Sequence, residues 1–254
     1  MDLQLKGRRA FVTGATRGIG RAIAERFAEE GASVAVCARR AGDVEDTVKA
    51  LTAKGVKSFG RAVDVADGDA LKSWILDGAS NLGGLDVFVA NASGLAAGTS
   101  LEDFRKGFDI DLMHLVNGVD AALPLLQASG AGAVVTIASI SVVEDYGFAE
   151  SAYGALKAAL LFYMKSLSGK LGKKGIRVNA VSPGPIYFEG GFWHDVERND
   201  PKLFASVIEK NPLRRMGSPE EIANVVAFLA SPLASYVSGA NYVVDGGHTR
   251  RIQN

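Results

Sequence analysis

The chain has 254 residues, enough to bury a sizeable core as one large domain or two small ones. Lys plus Arg (28) balance Asp plus Glu (28), so no charge excess points to nucleic acid, and no apolar run approaches the ~18 residues of a membrane span. The lone Cys37 excludes an internal disulfide, and the N-terminus lacks the apolar core of a secretion signal, so a cytoplasmic protein is expected.

In chain order, the first strand candidate is RRAFVT (8–13). It runs into TGATRGIG (13–20) and then a helical pattern with Ile19, Ile23 and Phe27 four residues apart. SVAVCA (33–38) follows and ends on Ala38, Arg39 and Arg40 with no acid. KSFGRAV (57–63) leads to Asp64 and Val65, and LDVFVA (85–90) leads to Asn91, Ala92 and Ser93. GAVVTIA (132–138) leads to Ser139, and the helical stretch SAYGALKAALLFYMKSL (151–167) comes next. IRVNAV (176–181) precedes Ser182-Pro183-Gly184, and YVVDGG closes the series. These runs lack polar alternation, as strands covered on both faces do. Strand and helix alternate, which predicts an α/β fold: a Rossmann-like, doubly wound parallel sheet of about seven strands with helices on both faces.

Residues 1–254 read as a single domain. The alternation lapses at 187–211, which reads as an insertion able to form a lid on the body. Ser218, Pro219 and Glu221 signal a helix start with a reciprocal cap.

Glycines between a strand and a helix expose backbone N–H groups to an anion, and the helix dipole adds positive potential. A glycine turn alone is equally consistent with a purely structural role. Arg17 lies inside the turn; Ala38 stands where an acid would bond ribose hydroxyls, and Arg39 and Arg40 follow it. Guanidinium groups there would hold a 2′-phosphate, which favours NADP(H) over NAD(H); solvated surface charge is the alternative.

TGATRGIG, NAS (91–93), SAYGALK (151–157) and SPG (182–184) together resemble the short-chain dehydrogenase/reductase family in its roughly 250-residue form, including 3-oxoacyl reductase-like members. The resemblance spans essentially the whole chain. It implies cofactor contacts from Gly14, Thr16, Arg17, Gly18, Ile19, Gly20, Asp64, Val65, Asn91, Ala92, Pro183, Gly184 and Ile186. Asp64 would bond the adenine amino group, although a helix-capping role competes. Ser93 stands where the family more often has glycine, and Phe188 where it often has threonine.

Tyr153 and Lys157 lie one helical turn apart on one face. A phenol is a poor proton donor-acceptor at neutral pH, and a nearby ammonium favours its phenolate. Tyr153 would then exchange a proton with the substrate oxygen, and Lys157 would also hold the nicotinamide ribose. The resemblance makes Ser139 the hydroxyl that bonds the substrate oxygen, with Ser141 a rival on spacing. Asp111 occupies the place of the family's relay asparagine, since Asn117 is too far along the helix. Whether Asp111 holds the relay water or alters the relay is open.

Tyr146, Phe148, Tyr187, Phe188, Phe192, Trp193 and Phe204 suggest an apolar pocket, hence a small hydrophobic ketone or alcohol as substrate. Gly190 and Gly191 read as a lid hinge; His194 reads as substrate contact or cap. Arg198, Arg214 and Arg215 leave a phosphorylated or carrier-bound substrate open. No metal is expected, and a homotetramer is implied by resemblance. The leading function is an NADP(H)-dependent ketone/alcohol oxidoreductase. The alternatives are a non-catalytic NADP(H)-binding regulator on the same fold and an NAD-preferring alcohol dehydrogenase. An epimerase or dehydratase of the longer relatives fits the glycine spacing and length poorly.

Overall fold

The computed structural model describes residues 2–144 and 152–252. Among them, seven strands form one sheet: β1 (Arg9–Thr13), β2 (Ser33–Ala38), β3 (Ser58–Ala62), β4 (Val87–Ala90), β5 (Ala133–Ile137), β6 (Arg177–Pro183) and β7 (Asn241–Val244). Their order is β3-β2-β1-β4-β5-β6-β7, and every neighbouring pair is parallel. The seven predicted runs are these seven strands. The order reverses between β1 and β4, where a doubly wound sheet opens a crevice at its carboxyl edge. Register aligns Thr13 with Cys37, Val12 with Val89 and Ala90 with Thr136, so β1, β2, β4 and β5 end close together.

The missing alternation has its cause in two cores. Val12, Val34, Val36, Val89 and Val135 face α1 (Gly18–Glu29), α2 (Ala41–Ala53) and α9 (Pro219–Ala230). Phe11, Ala35, Cys37, Phe88 and Val134 face α3 (Gly68–Leu82), α5 (His114–Ser129) and α6 (Ala152–Gly172). Phe11 and Trp74 meet edge-on at 5.5 Å, and each such buried side chain is worth about 1.5–3 kcal/mol. Cys37 is fully buried; desolvation pushes its thiol up to about 12, so it is inert.

Between β4 and α5 lie the short helix α4 (Leu101–Gly107) and a π-helical turn, Phe108–Met113. The segment 187–211 holds α7 (Phe192–Asn199) and α8 (Pro201–Lys210). Ser218 and Glu221 form the expected reciprocal cap of α9, with Ser218 N donating to Glu221 at 2.9 Å. The competing role for Asp64 is corrected: Asp67 caps α3, accepting from Asp69 N and Ala70 N, whereas the Asp64 side chain accepts from Ala66 N in the turn before it.

Candidate active site

At the carboxyl edge beside the β1–β4 crossover lies a cavity of about 940 Å³. Ser139 enters it from the end of β5, and Tyr153 and Lys157 from the start of α6. Ile19, Asn91, Pro183, Gly184 and Ile186 also line it. The opposite wall comes from segment 187–211 and is apolar: Phe188, Phe192, Trp193, Leu203 and Val207.

The loop after β4 fixes the first turn of α6. Ala152 N donates to Gly98 O at 3.1 Å and Tyr153 N to Ala96 O at 3.0 Å, filling two of the orphan donors of a helix start. One turn on, Lys157 is only 2% exposed. Its ammonium donates to Ile137 O at 2.8 Å and stands 5.7 Å from the centre of the Tyr153 ring. Ser139 Oγ donates to Ser141 Oγ at 3.2 Å and accepts from Ser141 N at 3.2 Å. The two serines are thus one hydrogen-bonded pair, and both line the cavity.

Asp111 does not line the cavity; it pairs with Lys157. Its Oδ1 is 3.0 Å from Lys157 Nζ, and both side chains are 2% exposed or less. The approach lacks hydrogen-bonding geometry, so Asp111 acts there as a bare charge. Its Oδ2 accepts from Gly94 N at 3.1 Å. Asp111 sits in the π-helical turn, a device that widens one helical turn and recurs at functional sites. Asn117, further along α5, lies beside Gly68 on α3 and away from the cavity.

His114 joins this group unannounced by the sequence. Nδ1 donates to Ile110 O at 3.1 Å, which leaves Nε2 to accept from Thr13 Oγ1 at 2.8 Å. Burial, then the nearby Lys157 charge, lowers its pKa to about 4, so the ring is neutral. Thr13 Oγ1 in turn accepts from Asn91 N at 3.0 Å and Ala92 N at 3.2 Å. Asn91 Nδ2 donates to Thr13 O at 2.8 Å and Gly14 O at 3.1 Å. A continuous polar chain therefore ties the glycine turn to the π-helical turn. A histidine inside LMHLV was the available signal.

In the glycine turn, the N-terminus of α1 has no side-chain cap and no acid in its first turn. Its N–H groups are thus left for an anion. The glycines differ in role. A Cβ on Gly20 would collide with Gly14 O, so Gly20 lets the turn pack closely on itself. Gly18 has φ +51°, and the Phe188 ring packs directly on it. Arg17 Nη1 donates to Gly190 O at 2.9 Å, so segment 187–211 is clasped to the turn. His194 Nδ1 accepts from Gly190 N at 3.2 Å, which makes it a local cap.

The cavity does not include Thr16, Arg39, Arg40, Asp64 or Val65. Arg39 is exposed at the end of β2; Arg40 pairs with Asp43 at 2.5 Å; Asp64 is exposed, and Val65 is buried in the core. Tyr146 and Phe148 lie outside the described residues. Glu144 and His248 also line the cavity, and neither stood out in the sequence. Among the described residues no cluster of His, Cys, Asp and Glu could hold a metal ion, and no helix is long and apolar enough to cross a membrane.

The family described as Enoyl-(Acyl carrier protein) reductase matches residues 14–249. Isoepoxydon dehydrogenase patN of Penicillium expansum is 43% identical over 246 residues, covering 96% of this chain and 95% of that protein. The structure of L-sorbose reductase from Gluconobacter frateurii, complexed with NADPH and L-sorbose, superposes with a TM-score of 0.91 at 32% identity. That match covers 99% of this chain and 100% of the other. A 7α-hydroxysteroid dehydrogenase complexed with NADH and 7-oxo glycochenodeoxycholic acid gives 0.90 at 31% identity, covering 99% of this chain and 98% of the other.

Proposed function

The chain belongs to the short-chain dehydrogenase/reductase family, and on that premise we propose that it is an NADP(H)-dependent oxidoreductase interconverting a ketone and a secondary alcohol. The observation that carries this reading is one cavity lined by Ser139, Tyr153 and Lys157, with the ammonium held beside the phenol ring.

A nicotinamide dinucleotide fits the residues present. The uncapped N-terminus of α1 offers N–H groups to a pyrophosphate, and Asn91, Pro183, Gly184 and Ile186 border the space in which a nicotinamide would lie. Gly14, Thr16, Gly18 and Ile19 would hold the pyrophosphate side, and Asp64, Val65 and Ala92 the adenosine side. When bound, the reduced nicotinamide supplies the hydride that reduces the carbonyl carbon. The phenol of Tyr153 gives its proton to the carbonyl oxygen as charge gathers there, and takes it back from the alcohol in the reverse direction. Ser139, turning its hydroxyl proton from Ser141 Oγ to the substrate, donates a hydrogen bond to the same oxygen. Lys157 stabilises the phenolate left behind. Asp111 keeps Lys157 aligned in its buried position. The segment 187–211 serves as a lid with Gly190 and Gly191 as hinge, and its apolar wall favours a small, largely hydrophobic substrate.

NADP(H) is preferred because no acid stands at the end of β2 to repel a 2′-phosphate, and Arg39 is exposed there. The related structures carry NADPH in one case and NADH in the other. The cytoplasm suits the reduced, buried Cys37. A homotetramer suits the exposed Phe108 and Phe162 beside and on α6. Steady-state kinetics with a ketone panel and both cofactors test the proposal. It expects turnover, with kcat/KM at least tenfold higher for NADPH and most of that preference lost in Arg39→Ala. Tight NADPH binding without turnover of any carbonyl overturns it, and equal use of NADH overturns the cofactor preference.

A further inference from the structure

Among the described residues, three that are not glycine have positive φ: Gln4, Leu95 and Arg214. Only Leu95, at φ +45°, lines the cavity. The left-handed region costs energy for any residue with a Cβ, and strain of this kind gathers at functional sites. Gly94, directly before it, does not take that conformation. The strained place is therefore filled by a large apolar residue although a glycine stands one position away. Leu95 does not serve core packing either, because it is 54% exposed. Its backbone is nevertheless firmly held. Gly94 N donates to Asp111 Oδ2 at 3.1 Å, and Leu95 N to Ser93 Oγ at 3.2 Å. Ala97 N donates to Leu95 O at 2.8 Å, and Tyr153 N to Ala96 O at 3.0 Å. One neighbour of Leu95 is thus bonded to the partner of Lys157, and the other to the backbone of Tyr153 itself.

We infer that Leu95 is a specificity-determining residue: a fixed apolar contact for the alkyl arm of the substrate, through which the enzyme selects ketones by the length of that arm. This inference rests on the proposed reaction. The bond from Tyr153 N to Ala96 O sets the stretch that carries Leu95 against the first turn of α6. A substrate that presents its carbonyl to Tyr153 therefore lies beside Leu95. Ala97 and Phe104, from the same stretch of chain, line the cavity as well and extend its apolar surface. An alkyl arm laid on Leu95 removes both surfaces from water, which is worth about fourfold in affinity for each methylene fully buried. The pinned backbone adds to this, since a contact already in place has little left to order. A strongly polar arm loses its hydration there and finds no partner in the leucine.

The test compares kcat/KM with NADPH on 2-butanone, 2-hexanone and 2-octanone in the wild type, Leu95→Gly and Leu95→Asn. Glycine takes positive φ freely and asparagine tolerates it, so both variants keep the turn and lose the apolar group. The wild type is expected to favour 2-octanone over 2-butanone by about twentyfold or more, mostly through KM. Each variant is expected to cut that ratio at least fivefold with an unchanged NADPH Kd. Leu95→Gly should also leave the melting temperature unchanged or raise it, because it relieves the strain. A ratio kept in both variants overturns the role of Leu95, and so does a melting temperature lowered by several degrees in Leu95→Gly, which would make it a packing residue. Turnover by the wild type with no preference for the longer ketones overturns it too. Each of these leaves the reaction class standing. Failure of the wild type to reduce any of the three ketones, with NADPH bound, overturns the reaction class and the inference together.

Discussion

The sheet carries a buried carboxylate ion pair at each edge, and the two are built differently. At the amino edge, Asp86 is saturated. Arg9 N, Nε and Nη2 reach it at 2.8, 2.6 and 2.7 Å, and Ser129 Oγ reaches it at 2.5 Å. Burial pulls its pKa up, but these bonds more than offset that and hold it below the ordinary carboxylate value. At the carboxyl edge, Asp111 faces a more deeply buried cation, Lys157, with one aligned hydrogen bond from Gly94 and one charge contact of poor geometry. A pair that only holds the fold closes all its bonds. A pair beside the cavity leaves its cation able to answer to something else: the Tyr153 ring, its centre 5.7 Å away, and, under the proposed function, the ribose of a cofactor.

That contrast is open to attack. Arg9→Ala should have the largest effect, a loss of about 3–5 kcal/mol of stability, because Asp86 would remain as a buried charge without its fork. The urea midpoint measures it, and the folded fraction should keep its specific activity. Asp111→Asn should instead strike catalysis: a fall of about hundredfold in kcat, or about 2.7 kcal/mol, in the folded fraction, alongside a loss of stability smaller than that of Arg9→Ala because the Lys157 ammonium still donates to Ile137 O. If Asp111→Asn unfolds the protein and Arg9→Ala silences it, the two pairs have been assigned the wrong roles.

His114 gives the next effect, in pH. Its folded pKa of about 4 lies below the ordinary 6.5, so the unfolded chain binds more protons between those values and stability drops as pH falls through them. The loss from pH 7 to pH 5 should be about 2 kcal/mol and should disappear from the urea midpoints of His114→Gln. The smallest effect belongs to the clasp. Arg17→Ala removes one bond to Gly190 O and should change NADPH affinity by less than tenfold, read by fluorescence titration.

The framework was open to a reader of the sequence because strand runs, glycine turn and capping signals are local. Val12 and Phe11 read as one apolar run, and they are so because each faces a separate core. The motif residues Ser139, Tyr153 and Lys157 were equally legible, since strand ends and helical spacing place them. The remainder depends on tertiary meetings. Asp111 could be singled out by position, but its pairing with Lys157 needs the π-helical turn, which shifts the phase of the helix in a way no periodicity shows. Phe188 on Gly18, Thr13 under His114, and Glu144 beside the His248 turn each join segments separated by a hundred residues or more, and nothing local announces such contacts.

The central claim is that the Tyr153 phenol carries the proton in this cavity. The direct measurement is single-turnover oxidation of bound NADPH by a saturating ketone, in the wild type and in Tyr153→Phe. The variant should bind NADPH with an unchanged Kd and lose about 10²–10⁴-fold in rate. A Tyr153→Phe enzyme that reduces the ketone at the wild-type rate would contradict the account.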